Sequence, residues 1–316
     1  IGTLPILVSC FCQFFLKIYG PFRIFNNLIV WYQRPLGSDN GVTGLFNNQN
    51  YAGAWLCIIL PLCLFFLIKK HKHLIIKSYY FIVSTSVVYI IILTTSRNAI
   101  FSIFITIFLF TKSIKTKILS LFTLILIPLF LNLIPYISLN LRNFINIYIP
   151  FELVKKTSLT NLSNIYLSPR FEIWDKAIML IKSKLFIGYG AGSFNSIYTT
   201  SGGNFKGIQH AHNIFLELAF SHGLFTGVII ISMMIYLILF SWKSYTNQIT
   251  KLSSDFKTGF YYFDKAWIIS FSIFFFIQMS DITYFDGRIS ILAWILLAGM
   301  TANIKENNPL KIYKDN

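Results

Sequence analysis

Charge is what this chain has least of, and acid is scarcer than base. Only 12% of the 316 residues are Asp, Glu, Lys or Arg, and 11 acidic residues face 27 basic ones. A soluble domain carries about 25% charged residues. The shortage excludes an ordinary cytosolic enzyme, and it excludes a disordered chain, which needs charge and few aromatics. Cysteine is also sparse. Cys10, Cys12, Cys57 and Cys63 all sit inside apolar runs. No disulfide scaffold can be built from them, and none stands at zinc-ligand spacing from a histidine. They read as small core residues. There is no phosphate-binding loop, no His-Glu-x-x-His and no nucleophile elbow. No internal repeat appears, so an inverted-repeat transporter finds no support.

What is present is apolar. Hydrophobic residues make up 55% of the chain, aromatics 18%, and the mean hydropathy is +0.64. A membrane span needs about 20 mostly apolar residues. Eight segments are read as spans: 2–17, 51–68, 78–95, 98–111, 118–137, 224–242, 266–280 and 289–303. The expected fold is therefore an all-α polytopic membrane protein with one long loop. Four parts are expected: 1–50, a span and an outer loop; 51–137, transmembrane helices; 138–223, the long loop; and 224–316, the last helices and a tail. The first residue is Ile1 rather than Met, and upstream spans are left open. No signal peptide is evident, since no basic region precedes the first apolar run.

The net charge of +16 sits between the spans rather than on one soluble face, so it does not read as a nucleic-acid footprint. Lysines crowd one set of loops: Lys69, Lys70, Lys72 and Lys77, then Lys112, Lys115 and Lys117, then Lys243, Lys251, Lys257 and Lys265, then the tail. The opposite short loops hold only Lys17, Arg23, Arg34, Arg97 and Arg288. The lysine-rich side is expected to be cytoplasmic and the long loop to face out, into a periplasm where one exists. Insertion alone accounts for the lysines, so chemistry is expected on the outer face.

Three stretches of the long loop stand out. Ser168-Pro169 makes a helix start, and Phe171, Trp174, Ile178 and Ile181 follow at helical spacing. This predicts an amphipathic helix over 169–184, lying on the outer membrane surface. Arg170 in its first turn, beside free N–H groups, is a candidate anion site or an interfacial arginine. Next, Gly190 and Gly192 in the run 188–193 permit close backbone approach to a ligand, or make a flexible turn. Last, His210-Ala211-His212-Asn213 is the densest polar cluster, with Glu217 four residues beyond Asn213. An imidazole can take a proton near neutral pH. Outside the long loop, Arg97 stands in a tight turn at the head of a span, and Asp281, Asp286 and Arg288 crowd the last hairpin. Asp286 and Arg288 read first as an ion pair.

In order, these pieces resemble the O-antigen ligase family, which also holds O-antigen polymerases and related membrane glycan transferases. Residues 44–52 resemble its glycine, phenylalanine and asparagine approach to a span. Ser96-Arg97 resembles its serine–arginine element. Ser168-Pro169-Arg170 with Trp174, then Gly188-Tyr189-Gly190 and Gly192-Ser193-Phe194, resemble its long-loop signature. His212-Asn213, nine residues, then Gly223-Leu224-Phe225-Thr226 matches its histidine pattern.

The resemblance implies about a dozen helices and transfer of a glycan from undecaprenyl pyrophosphate to a hydroxyl on a lipid A core or a growing glycan. It implies no cofactor, no metal and no nucleic acid as partner, and a place in the bacterial inner membrane with the active face periplasmic. Carried over, Arg97 and Arg170 would hold the pyrophosphate and His212 would act on the acceptor hydroxyl. Asn213, Glu217, Asp286, Arg288, Gly190 and Gly192 would line the substrate site. Ligase and polymerase are not separated by the sequence. A transporter of an anionic glycolipid would need charge deep in the spans, which is almost wholly lacking. A non-catalytic scaffold is a further alternative.

Overall fold

The computed structural model describes residues 2–31, 33–36, 41–69, 71, 73–123, 126, 148, 153, 169–251 and 260–306. Two compact units emerge: Ile1–Leu162 with Thr258–Ile273, and Ser163–Lys257 with Phe274–Asn316. The described residues are mostly helical.

The first unit begins with α1 (Leu4–Phe15), then a short hairpin of β1 (Phe22–Ile24) and β2 (Ile29–Trp31), antiparallel with Arg23 opposite Val30. This hairpin was not expected from the apolar pattern. Its turn depends on left-handed Phe25, Asn26 and Asn27, a conformation asparagine tolerates better than most residues. α2 (Gln49–Ile68), α3 (Leu74–Leu93) and α4 (Arg97–Phe110) follow. Asn48 caps α2 by accepting the Asn50 N–H at 2.7 Å. α2 packs against both α3 and α4, and α1 against α3. Small residues set the closeness: a Cβ on Gly53 would lie 2.8 Å from the Ala99 Cβ. Helices in lipid gain from such approach because dispersion replaces the hydrophobic drive. Buried Gln13 ties the loop before α2 to α1. Its amide donates to the Arg34 carbonyl and accepts the Thr43 and Gly44 N–H groups, each at 2.9 Å.

The second unit holds α5 (Pro169–Ser183), α6 (Phe194–Thr200), α7 (Ile214–His222), α8 (Leu224–Lys251) and α10 (Gly287–Glu306), with the last residues of α9 (Phe260–Gln278). α5, α6 and α7 share a core of Ile173, Ala177, Leu180, Ile181, Phe194, Tyr198, Ala211, Leu216, Ala219 and Phe220. The expected surface helix is therefore packed on one side. Its buried stripe is Ile173, Ala177, Leu180 and Ile181, while Phe171 and Ile178 of the expected stripe are exposed. α5 is apolar on two faces, and periodicity alone does not say which one meets protein.

Among the described residues, three helices are long and apolar enough to cross a membrane: Gln49–Ile68, Leu74–Leu93 and Leu224–Asn247. Leu4–Phe15, Arg97–Phe110 and Gly287–Thr301 are apolar but shorter. The 12 residues of α1 rise about 18 Å, against a hydrocarbon core of about 30 Å. α9 covers the seventh expected span up to Gln278. Residues 114–123 are helical; most of the rest of the fifth expected span, and the Ser168 cap, lie outside the described residues. These helices point to a membrane protein.

Candidate functional site

α7 is the ruler of the site. Asn213 caps it, its side-chain oxygen accepting the N–H groups of Phe215 and Leu216 at 3.0 and 3.1 Å. The other half of that amide donates to the Met279 carbonyl at 2.8 Å. One residue thus starts α7 and fastens it to the chain leaving α9. The helix runs nine residues and stops at Gly223, φ 87°. A Cβ there would stand 2.0 Å from the Phe186 carbonyl oxygen. Gly188 likewise lies against α7, where a Cβ would come within 2.5 Å of the Phe220 oxygen. Between them, Tyr189 and Gly190 donate to Phe220 and Ser221, at 2.8 and 2.9 Å. The nine residues separating His212-Asn213 from Gly223 are therefore α7 itself, and the glycines let the 185–190 segment cross its end.

His212 sits just before this cap in a left-handed conformation, φ 52°. Its backbone N–H is accepted by His210 Nδ1 at 3.2 Å. The N–H of Ala211 goes to Glu217 at 2.9 Å. Glu217 is buried and also accepts the Ser221 hydroxyl. Burial pushes its pKa up, against the pull of the Ala211 N–H. Each turn of the 210–213 bend is thus pinned by a local partner, the usual requirement for a strained backbone at a site.

The His212 ring is 2.8 Å from Asp281 (Nδ1 to Oδ1). The other Asp281 oxygen faces Arg170 Nη2 at 3.9 Å. Asp281 is almost wholly covered, while the side chains of His212 and Arg170 are 25% and 31% exposed. Burial alone would raise the Asp281 pKa. The hydrogen bond from His212 and the charges of His212, Arg170 and His210 outweigh it, so the carboxyl is held below its ordinary value. Gln278 fixes the loop that carries Asp281 by accepting the Thr283 N–H at 2.9 Å and donating to its hydroxyl at 2.7 Å. His210 packs edge-on to His212, ring centroids 4.3 Å apart. Burial first, then the charge of His212, pushes its pKa down to about 4.

Asp286 caps α10 through the Arg288 N–H at 3.0 Å and pairs with the Arg288 guanidinium, Nε to Oδ1 2.9 Å. The Gly190 N–H is held by Ser221, whereas a Cβ on Gly192 would meet open space. Glu172 accepts the Tyr198 hydroxyl and the Asn204 N–H at 3.2 and 3.1 Å, which ties α5 to α6. Arg97 is exposed and opens α4 in the other unit, behind the left-handed Thr95. The structure thus brings Arg170 and His212 to Asp281, with Asn213 fastening α7 to Met279 and Glu217 holding the 210–213 bend. Asp281 and His210 were not assigned roles in the sequence reading. The sequence offered for Asp281 only its place on the same outer face as His212, which does not single out a partner. His210, His212 and Asp281 offer ligand atoms all within 4.8 Å of one another, a set able to hold a divalent ion.

Residues 81–231 match the family described as O-antigen ligase. The segment is one of the O-antigen ligase superfamily. The match takes in Arg97, Arg170, His212, Asn213 and Glu217, and it ends before Asp281 and the last hairpin. A similar protein is the ComP-specific O-oligosaccharyltransferase of Acinetobacter baylyi (strain ATCC 33305 / BD413 / ADP1), 33% identical over 85 residues. That alignment covers 26% of this chain and 16% of the relative. The O-antigen ligase match and the apolar helices together point to a membrane protein.

Proposed function

We propose that this protein moves a glycan from undecaprenyl pyrophosphate to a hydroxyl on a lipid A core or similar acceptor, at the periplasmic face of the bacterial inner membrane. The observation that carries the proposal is His212 held by the buried Asp281 carboxylate at 2.8 Å, with Arg170 on the same carboxylate. An ionised carboxylate at Nδ1 favours a proton there and leaves Nε2 with its lone pair. Nε2 then takes the acceptor proton as the hydroxyl attacks the anomeric carbon. The C–O bond to pyrophosphate breaks as the new glycosidic bond forms, with inversion. The leaving pyrophosphate gains negative charge, which Arg170 stabilises, with Arg97 as the second arginine of this assignment. Asn213, Glu217, Gly190, Gly192, Asp286 and Arg288 belong to the substrate side of the proposal. Glu217 acts through the 210–213 bend, since its carboxylate is occupied by the Ala211 N–H.

Arginine and imidazole supply this chemistry without a cofactor or a metal ion, although the His210–His212–Asp281 set has room for one. The shorter apolar helices, α9 and 118–137 complete the eight spans of the proposal, with membrane lipids around them. A second reading differs only in acceptor. The relative's name, an O-oligosaccharyltransferase specific for ComP, favours a protein hydroxyl in place of a lipid-borne sugar.

The test is transfer in a cell lacking the gene and complemented with variants. His212→Ala and Arg170→Ala each abolish transfer while the protein inserts normally, and long polymer accumulates on the undecaprenyl carrier. Normal transfer by both variants would remove the assignment. EDTA leaves the purified wild-type activity unchanged; loss restored by a divalent ion would mean that the three-ligand set is a metal centre. Glycan found on protein rather than on lipid A selects the second reading.

A further inference from the structure

Phe285 is an oddity of the last hairpin. The loop from Asp281 to Asp286 buries almost everything it carries: Asp281, Ile282 and Thr283 are nearly inaccessible and Tyr284 is half-buried. Phe285 alone among them turns out, 48% exposed. It is not loose. Its ring lies 4.6 Å from Tyr284, tilted 34°, and 5.7 Å from His210, tilted 31°. His210 in turn packs on His212 at 4.3 Å. An exposed aromatic ring is thus fixed two rings away from the proposed base. Directly after it in sequence stands the Asp286–Arg288 fork, with the Arg288 side chain 41% exposed.

The chemistry of that combination is specific. The face of an aromatic ring is electron-rich. A pyranose offers one face of axial C–H groups, weakly positive and apolar, and a rim of hydroxyls. A ring for the face and a planar charged pair for the rim is a pattern suited to a sugar. A lipid chain needs only the apolar area and gains nothing from the fork. We infer that Phe285 is the stacking platform of a sugar subsite, placing one pyranose of the glycan substrate against His212 while Asp286 and Arg288 meet its hydroxyls. The inference rests on the glycan-transfer reading above and adds to it a binding residue in the last hairpin.

The experiment uses the full chain in nanodiscs and measures affinity for three probes. These are undecaprenyl pyrophosphate alone, the free oligosaccharide released by mild acid from the undecaprenyl-linked pool of the source cell, and de-acylated core oligosaccharide. The variants are Phe285→Ala, Phe285→Leu and Phe285→Tyr. Leucine keeps the apolar bulk, and tyrosine keeps the ring. The alanine and leucine variants bind one of the two oligosaccharides about tenfold more weakly, and tyrosine binds it within about twofold of wild type. Which oligosaccharide is affected tells whether the platform serves donor or acceptor glycan. Undecaprenyl pyrophosphate binding stays unchanged, which also reports an intact fold. Wild-type affinity in the leucine variant overturns the inference, as does a parallel loss of undecaprenyl pyrophosphate. Wild-type protein that binds undecaprenyl pyrophosphate but neither oligosaccharide overturns the inference and leaves the transfer reading standing. Protein that binds none of the probes overturns both.

Discussion

A single carboxylate shared by an imidazole and a guanidinium sets the chemistry at the smallest scale. Asp281 gives one oxygen to His212 and turns the other to Arg170. Asp281→Asn keeps the shape and removes the charge that selects the Nδ1–H tautomer. Its kcat is expected to fall by about 10²–10⁴-fold with little change in donor affinity, measured on purified protein. An unchanged kcat would detach Asp281 from the base. The same cluster makes stability depend on pH. The folded pKa of His210 lies near 4, below its ordinary 6.5, so the unfolded chain binds the proton first. The contribution of His210 is present above pH 6.5 and is lost as pH falls toward 4. Asp281, also depressed, loses its contribution at still lower pH. Glu217, whose folded pKa is raised, works the other way: its contribution is lost as pH rises through that value. The thermal midpoint should therefore drop between pH 7 and pH 4, and His210→Gln should flatten the drop. A midpoint that rises on acidification would give Glu217 the larger part. At this scale the sequence was half legible. His212, Asn213 and Arg170 could be named because their motifs are local. Asp281 could not be assigned, because its tie to His212 spans 69 positions and leaves no periodic trace.

At the scale of elements, glycines decide what can cross what. Gly223→Ala puts a methyl into the Phe186 carbonyl at a left-handed φ and should cost about 2–3 kcal/mol. Gly192→Ala meets open space and should cost only the strain of its φ of 73°, about 1 kcal/mol. Denaturation of the two variants side by side checks the difference; equal losses would contradict the crossing at α7. The start of α5 was readable from Pro169, and its end from the run of periodic apolar residues. Which of its two apolar faces is buried was not, since Ile173 and Ala177 answer to α7, far along the chain. The β1–β2 hairpin was invisible for a related reason. Its strands are three residues each, too short to show alternation.

For the molecule as a whole, composition was the clearest guide. Scarce charge and long apolar runs announced membrane helices, and α2, α3 and α8 meet the length required. Where a run ended in a turn, as α1 does after 12 residues, hydropathy overstated the helix. The proposed topology has its own test. Cysteines placed at Gly192 and Lys115, in a background without Cys12, should react oppositely with an impermeant maleimide added from outside: labelled at Gly192, protected at Lys115. The reverse pattern would invert the molecule and move the chemistry to the cytoplasm. One feature of the second unit also reaches into how the protein is made. His212 leaves the ribosome long before Asp281, and α8 and α9 are synthesised between them. A chain halted in that interval carries its histidine, its arginine and its cap, yet has no carboxylate to hold the imidazole. Under the proposed mechanism, a copy halted before Asp281 would be inactive, and transfer would itself report that synthesis has passed the Asp281 hairpin.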